Sequence, residues 1–255
     1  MTESPTSLPP ELSIDGRIAT IVLRRPAVAN RLQPEDLATL VRQIEQVNAA
    51  REVLVLRITG TGKYFCSGFD IGSVGQDTSH GFEALTNAME HARPVTIAAL
   101  NGGVYGGATD LALACDFRIG VPGVNMFVPA ARLGLLFYRG GMQRYVSRLG
   151  LGMAKRILLG CERFDAQAML ASGFLDRLVD QPAALMPSVD AMSQELAGMA
   201  PLALLGMKKH LNRIAAGALD AEALARDIAE ADASSDLAEG ALAWRQKRAP
   251  VFQGK

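Results

Sequence analysis

Cysteine is scarce in this chain. Its 255 residues hold three, Cys66, Cys115 and Cys161, an odd number with no CxxC spacing. That disfavours a disulfide framework and a zinc site, and it suits a reducing compartment. An excess of charge is missing as well. Lys and Arg number 26, Asp and Glu number 26, and the formal net charge is zero. Nothing in that balance favours nucleic acid or an extended anionic surface, so a phosphorylated ligand would need a local cluster of cations and backbone N–H groups. No run reaches the roughly 18 apolar residues that cross a bilayer. The opening MTESPTSLPPEL has neither the basic nor the apolar region of a signal peptide and reads as a disordered lead-in. The expectation is a cytoplasmic protein with no membrane and no nucleic-acid partner.

Apolar material is plentiful, at 49% hydrophobic residues, enough for one large domain or a core with a smaller appendage. The β-branched runs RIATIVL (17–23), VLVLRIT (53–59) and VTIAAL (95–100) read as strands, with a brief strand at 117–120. Leu37, Leu40, Val41 and Ile44 share one helical face in 34–48, with Pro34 in the first turn. A second helix is expected over 81–92, stopped by Pro94. Strand, glycine loop and helix alternate, which places the chain in the α/β class. Beyond about residue 145 long strands are absent, and helices are expected at 154–159, 166–171, 185–199 and 202–216. A loose boundary near 196 divides a mixed core (1–196) from a helical tail (197–255).

Two glycine-containing loops follow strands and precede helices: Cys66-Ser67-Gly68-Phe69-Asp70, and Gly102-Gly103-Val104-Tyr105-Gly106-Gly107-Ala108. Glycine permits positive φ and close approach. Helix N-termini present unpaired N–H groups and a positive dipole end. Two such ends facing one another could hold one oxygen that gains negative charge, an oxyanion hole. Spacing alone equally allows tight turns that pack strands on helices. The second loop lacks the full GxGxxG order of a dinucleotide site.

The strings themselves are more specific. KYFCSGFDI and RPVTIAALNGGVYGGATDLALACDFRI resemble the two oxyanion signatures of the crotonase (enoyl-CoA hydratase/isomerase) superfamily. LRRPAVANRL, LGL followed by RGGMQRYVSRLG, and the terminal WRQKRAPVFQGK extend the resemblance over nearly the whole chain, in order. The resemblance implies a crotonase-like spiral of repeated ββα units with a helical C-terminal trimerisation region, in a homotrimer or a dimer of trimers. It implies an enzyme that stabilises a thioester enolate, foremost an enoyl-CoA hydratase or isomerase of fatty or other acyl-CoA metabolism, with an acyl-CoA as substrate, no separate cofactor and no metal.

Carried over residue by residue, the resemblance puts the oxyanion N–H groups at Phe69 and Gly107. It assigns substrate contacts to Ala27, Ala29, Ser67, Gly68, Asp70, Ile71, Gly106, Ala130, Leu133, Arg139 and Lys247. Arg25 and Arg31 flank the loop expected near the adenine and pantetheine, and Lys247 and Arg248 are expected near the phosphates. Asp70 is also expected to cap a helix, and Cys66 to be a packing residue. The family's hydratases use two glutamates, and the matching positions here are Asp110 and Ala130. Aspartate is one methylene shorter, and alanine cannot transfer a proton, so hydration by two carboxylates is in doubt. Asp110 and Tyr138 are therefore the catalytic candidates. The adjacent Arg139 is expected to favour the Tyr138 phenolate, the alternative being that Tyr138 only lines the pocket and Arg139 faces solvent. The departures keep a decarboxylase or other lyase of the same fold open, and also a CoA-binding homologue that has lost catalysis.

Overall fold

The computed structural model of the chain describes residues 7–69 and 78–255. β1 (Glu11–Asp15) and β2 (Ile18–Leu23) form an antiparallel hairpin, its two-residue turn opened by Gly16 at φ 54°. α1 (Pro34–Ala49) starts where Gln33 and Asp36 cap one another reciprocally and Pro34 fills the first turn.

The chain then repeats one unit. β3 (Val55–Gly60) and β4 (Tyr64–Cys66) lead to α2 (Thr78–Glu90), and β5 (Val95–Leu100) and β6 (Gly103–Tyr105) lead to α3 (Gly107–Ala114). β7 (Phe117–Gly120) and β8 (Asn125–Phe127) lead through a 3-10 turn at Ala130–Leu133 to α4 (Arg139–Leu158). The first strand of each unit joins a six-stranded sheet and the second joins a four-stranded sheet. The orders are β1-β2-β3-β5-β7-β10 and β4-β6-β8-β9, with β9 at Phe164–Asp165, α5 at Ala166–Ala171 and β10 at Arg177–Leu178. Every pairing from β2 to β10 across the larger sheet is parallel. This is the expected spiral of ββα units.

Burial explains the strand chemistry. All six residues of β5 are buried, as in a parallel sheet covered on both faces; five are apolar, and the hydroxyl of Thr96 donates to Asp116 at 2.9 Å. α6 (Leu185–Ala197) packs on the larger sheet at β3, β5 and β7. In α3, Ala108 through Ala114 are all buried, so the helix runs through the core rather than over it.

The tail is helical: α7 (Pro201–Ala215), α8 (Ala221–Asp232) and α9 (Ser235–Gln246). Buried Lys208 of α7 pairs with Asp116 at 2.8 Å, and Asn212 donates to the Glu90 carbonyl at 2.9 Å, pinning α7 to the core. The C-terminal strap turns back, with Asp236 accepting from the Gln253 and Gly254 N–H groups at 2.7 and 2.8 Å. Three helices differ from expectation, α6 ending at Ala197 rather than at 199. α2 ends at Glu90 rather than at 92. The segment expected as a helix from Ala154 belongs to the longer α4, bent at Gly150 (φ 80°, ψ 157°). Two glycines in its first turn, Gly140 and Gly141, with Gly150 and Gly152 further on, hide that helix from a propensity reading.

Candidate active site

β4 and β6 are parallel neighbours, with Tyr64 opposite Gly103 and Cys66 opposite Val104. The two glycine loops therefore leave the same edge of the smaller sheet side by side. Gly68, at φ 91°, faces the second loop so closely that a side-chain carbon there would lie 2.8 Å from the Tyr105 carbonyl oxygen and 3.2 Å from the Gly107 nitrogen. Glycine at 68 is thus required both by its dihedral and by the approach of the two backbones. Gly106 caps α3 at φ 55° and donates its N–H to the Phe127 carbonyl at 3.0 Å. Gly107 is the first residue of α3, so its N–H belongs to the unpaired first turn.

A third segment closes on the first loop. Ser67 donates to the Ala29 carbonyl at 2.9 Å, Leu32 donates to the Gly68 carbonyl at 2.9 Å, and Leu32 and Phe69 form a parallel bridge. Ala29 and Asn30 both hold positive φ, 54° and 52°. Buried Asn30 secures this turn, since its Nδ2 donates to the Thr61 and Tyr64 carbonyls at 2.9 and 2.8 Å and its Oδ1 accepts from the Arg25 N–H at 2.8 Å. Asn30 was not among the residues singled out from sequence, although asparagine in a left-handed turn is a recognisable signal. The structure thus gathers Ala29, Ser67, Gly68, Phe69, Gly106 and Gly107. Phe69 sits in a bridge, not in the first turn of a helix as expected, and the next described helix, α2, begins at Thr78. Asp70 and Ile71 lie outside the described residues. Cys66 is the expected packing residue: its thiol is buried, donates to the Asn30 carbonyl at 3.0 Å, and is pushed up to about 12 by burial.

Asp110 lies one turn after Gly107 on α3 and is 0% exposed. Its Oδ1 accepts from Arg144 Nε at 2.9 Å, and its Oδ2 accepts from Arg144 Nη2 at 2.7 Å and from the Tyr138 hydroxyl at 2.6 Å. Arg144, itself 2% exposed, also donates to Thr86 Oγ1 at 2.8 Å, Asn87 Oδ1 at 2.9 Å and Glu90 Oε2 at 2.8 Å. Glu90 in turn pairs with Arg148 at 3.0 Å. Every donor of the Arg144 guanidinium is aimed at a partner on α2 or α3, as a buried cation requires. Sequence reasoning missed Arg144, and its place inside RGGMQRYV gave no signal of burial.

The Tyr138 phenol is raised well above its ordinary value, chiefly by burial and then by the Asp110 charge and hydrogen bond. Of the two readings open for this pair, this disfavours a phenolate supported by Arg139 and agrees with Arg139 facing solvent. Arg139 is exposed, and the cation that reaches this cluster is Arg144, bound to Asp110 rather than to the phenol. Ala130 begins the 3-10 turn and is buried, while Leu133 at the end of that turn is 46% exposed. Ala27 is exposed. Lys247 caps the C-terminal end of α9 with its side chain in solvent, and Arg248 beside it is held by Glu239 at 2.6 and 2.7 Å. His210 meets Asp227 at 2.8 Å between α7 and α8. Among the described residues, no group of His, Cys, Asp or Glu is disposed to hold a metal ion, and no helix is long and apolar enough to cross a membrane.

A family model described as "Enoyl-CoA hydratase/isomerase" matches residues 13–255. The chain belongs to that family, within the crotonase superfamily. This enoyl-CoA hydratase/isomerase family member is 31% identical over 260 residues to carnitinyl-CoA dehydratase of Citrobacter koseri, covering 94% of this chain and 96% of that protein. It is 30% identical over 210 residues to the short-chain-enoyl-CoA hydratase of Clostridium acetobutylicum, covering 79% and 80%. Its fold superposes on an enoyl-CoA hydratase/carnithine racemase of Magnetospirillum magneticum with a TM-score of 0.90 at 26% identity, covering 96% of each chain. In this chain both oxygens of the Asp110 carboxylate are already hydrogen-bonded inside the core.

Proposed function

We propose that this chain is an acyl-CoA enzyme that holds the thioester oxygen between the N–H groups of Phe69 and Gly107 and works through the enolate. We read the enolate as arising from loss of CO₂ by a 2-carboxyacyl (malonyl-type) thioester. The observation that carries this reading is the closed Asp110–Arg144–Tyr138 cluster, with Asp110 wholly buried and accepting three hydrogen bonds. A base must reach the proton it removes, and this carboxylate is wholly buried with three of its roughly four acceptor sites filled. In our reading Ala130 stands where hydratases carry their second glutamate, and a methyl group moves no proton. Decarboxylation needs no base. The electrons of the C–C bond pass into the thioester as CO₂ leaves, and backbone donors stabilise the developing oxyanion. Tyr138, its proton pinned toward Asp110, offers oxygen lone pairs that orient a water, and that water protonates the α-carbon. The released hydroxide and CO₂ leave as bicarbonate, so the reaction balances as thioester plus water to shorter thioester plus bicarbonate.

A second reading, hydration of an enoyl thioester, is favoured by the activity named for the Clostridium relative. A panel of malonyl-, methylmalonyl-, crotonyl- and 3-enoyl-CoA separates them. Decarboxylation of a malonyl-type ester should exceed crotonyl-CoA hydration by about 10²-fold or more, the usual worth of a positioned acid or base. Faster hydration would select the second reading. We place the enzyme in the cytoplasm, as a homotrimer or dimer of trimers built through residues 197–255. In support, Met207, Leu211 and Ile214 form an exposed apolar stripe along α7, each more than half exposed.

A further inference from the structure

The Cα of Gly107 is covered by one side chain. A carbon added there would lie 2.8 Å from both Cε1 and Cζ of Phe82 and 3.3 Å from its Cε2, so the ring of Phe82 meets the glycine tip-on. Phe82 comes from α2 and is 4% exposed. It is held from two sides, edge-to-face against Phe69 at 6.4 Å and tilted against Tyr138 at 6.3 Å. Behind Tyr138, Phe137 stacks at 4.8 Å. The oxyanion residue Phe69, the Asp110-bound Tyr138 and the Gly107 helix end therefore share one aromatic wall, and Phe82 is its centre. An aromatic ring on three such contacts is not free to swing aside without breaking them.

The distances bear on substrate size. A carbonyl oxygen held about 2.9 Å from the Gly107 nitrogen puts the thioester carbon roughly 4 Å from that nitrogen. The first acyl carbons beyond it fall within a few bonds of the Gly107 Cα, where the ring tip stands. We infer that Phe82 is a specificity-determining residue: it walls the acyl pocket beside Gly107 and confines the enzyme to short acyl groups. This rests on the reading of Phe69 and Gly107 as the thioester site, and it narrows the substrate to a short-chain CoA ester.

Equilibrium binding of saturated, unreactive esters tests it without requiring turnover. Acetyl-, butyryl- and octanoyl-CoA are titrated into the wild-type protein, Phe82→Leu and Phe82→Ala by calorimetry, with thermal unfolding recorded for each. Wild-type protein should bind octanoyl-CoA at least about tenfold more weakly than butyryl-CoA, in the range that pocket fit controls. Phe82→Leu should narrow the ratio of butyryl- to octanoyl-CoA affinity and Phe82→Ala bring it close to one. If the alanine variant does not fold, the leucine variant decides. Octanoyl-CoA binding as tight as butyryl-CoA in wild-type protein overturns the inference, as does an unchanged ratio in the folded variants. Failure of malonyl-type decarboxylation alone leaves these affinities as the test. Failure of every ester to bind overturns the acyl-CoA reading and this inference together.

Discussion

Arg144→Met removes the cation from beneath Asp110 while keeping an unbranched side chain of comparable reach. Arg144 is 2% exposed and Asp110 0%, so water cannot replace the missing donors unless α4 lifts off α3. Of the three hydrogen bonds that Asp110 accepts, two come from Arg144, and the variant leaves only the one from Tyr138. Stranding one member of a buried ion pair costs about 3–5 kcal/mol. Glu90 adds less, because it is 19% exposed and keeps Arg148 at 3.0 Å. Against a total stability of about 5–15 kcal/mol, the loss is severe. At roughly 2–4 °C per kcal/mol for a chain of this size, the melting temperature followed by circular dichroism should drop by about 6–20 °C. Asp110→Asn deletes the charge and keeps the shape. In the double variant no charge is stranded, so the two losses should fail to add by at least about 1 kcal/mol. A drop below about 2 °C for Arg144→Met, or strict additivity in the cycle, would refute the view that this pair is a mutually dependent buried unit.

Three further outcomes are expected. A hundredfold excess of acetyl-CoA over its dissociation constant should stabilise the protein by about 2.7 kcal/mol, and a melting temperature unmoved at millimolar ligand contradicts acyl-CoA binding. Ala130→Glu should raise crotonyl-CoA hydration about tenfold or more, a fraction of what a well-placed acid or base supplies; a folded variant with no gain would show that position 130 does not face the reacting carbons. Stability should decline in alkali. Burial pushes the Cys66 and Cys115 thiols up to about 12 and also raises the Tyr138 and Tyr145 phenols, in each case with a nearby carboxylate as a lesser cause. The folded chain keeps protons that the unfolded chain loses above about pH 8.5 for thiols and 10 for phenols. The stabilisation is therefore complete below those values and falls as pH rises, by up to about 1.4 kcal/mol per pH unit for each group. Urea unfolding in reductant at about pH 8, 9.5 and 10.5 measures it, and a flat profile would show that these groups titrate normally.

What could be read from sequence was what local pattern determines. The largely apolar run at 95–100, with Thr96 its one polar residue, announces a strand covered on both faces, and it is β5. The glycines at 68, 106 and 107 announce backbones that must turn sharply or approach closely, and the two loops do meet. What could not be read depends on one helix crossing another. Arg144 sits in a segment with basic and small residues that passes for a solvated face, and only the crossing of α4 over α2 and α3 makes it a core cation. Phe82 is hidden for the same reason. The misplaced role of Arg139 has a simpler cause. Tyr138 is the extended N-cap of α4, at φ −73° and ψ 161°. Across such a residue, successive side chains leave in opposite directions, so adjacency in sequence separates these two groups.

The Asp110–Arg144 pair also decides what the end of α3 can offer. A helix N-terminus carries about half a positive charge, and an oxyanion held at Gly107 draws on it. A lone carboxylate in the first turn would offset that field at short range, inside a core where little water screens it. With Arg144 bonded to both carboxylate oxygens, the pair is close to neutral as seen from Gly107, and the positive end of the helix is left to the ligand. On the reading proposed above, Asp110 organises the site without moving a proton: it fixes the Tyr138 hydroxyl at 2.6 Å and ties α3 to α4. On the same reading, the contacts that commit its carboxylate to the core also tie the helix that carries the Gly107 N–H to α4. Preorganised donors are usually the largest single source of stabilisation for developing negative charge, so under the proposed reading a chain whose Asp110 is committed to Arg144 and Tyr138 keeps the part of the machinery on which enolate chemistry depends most.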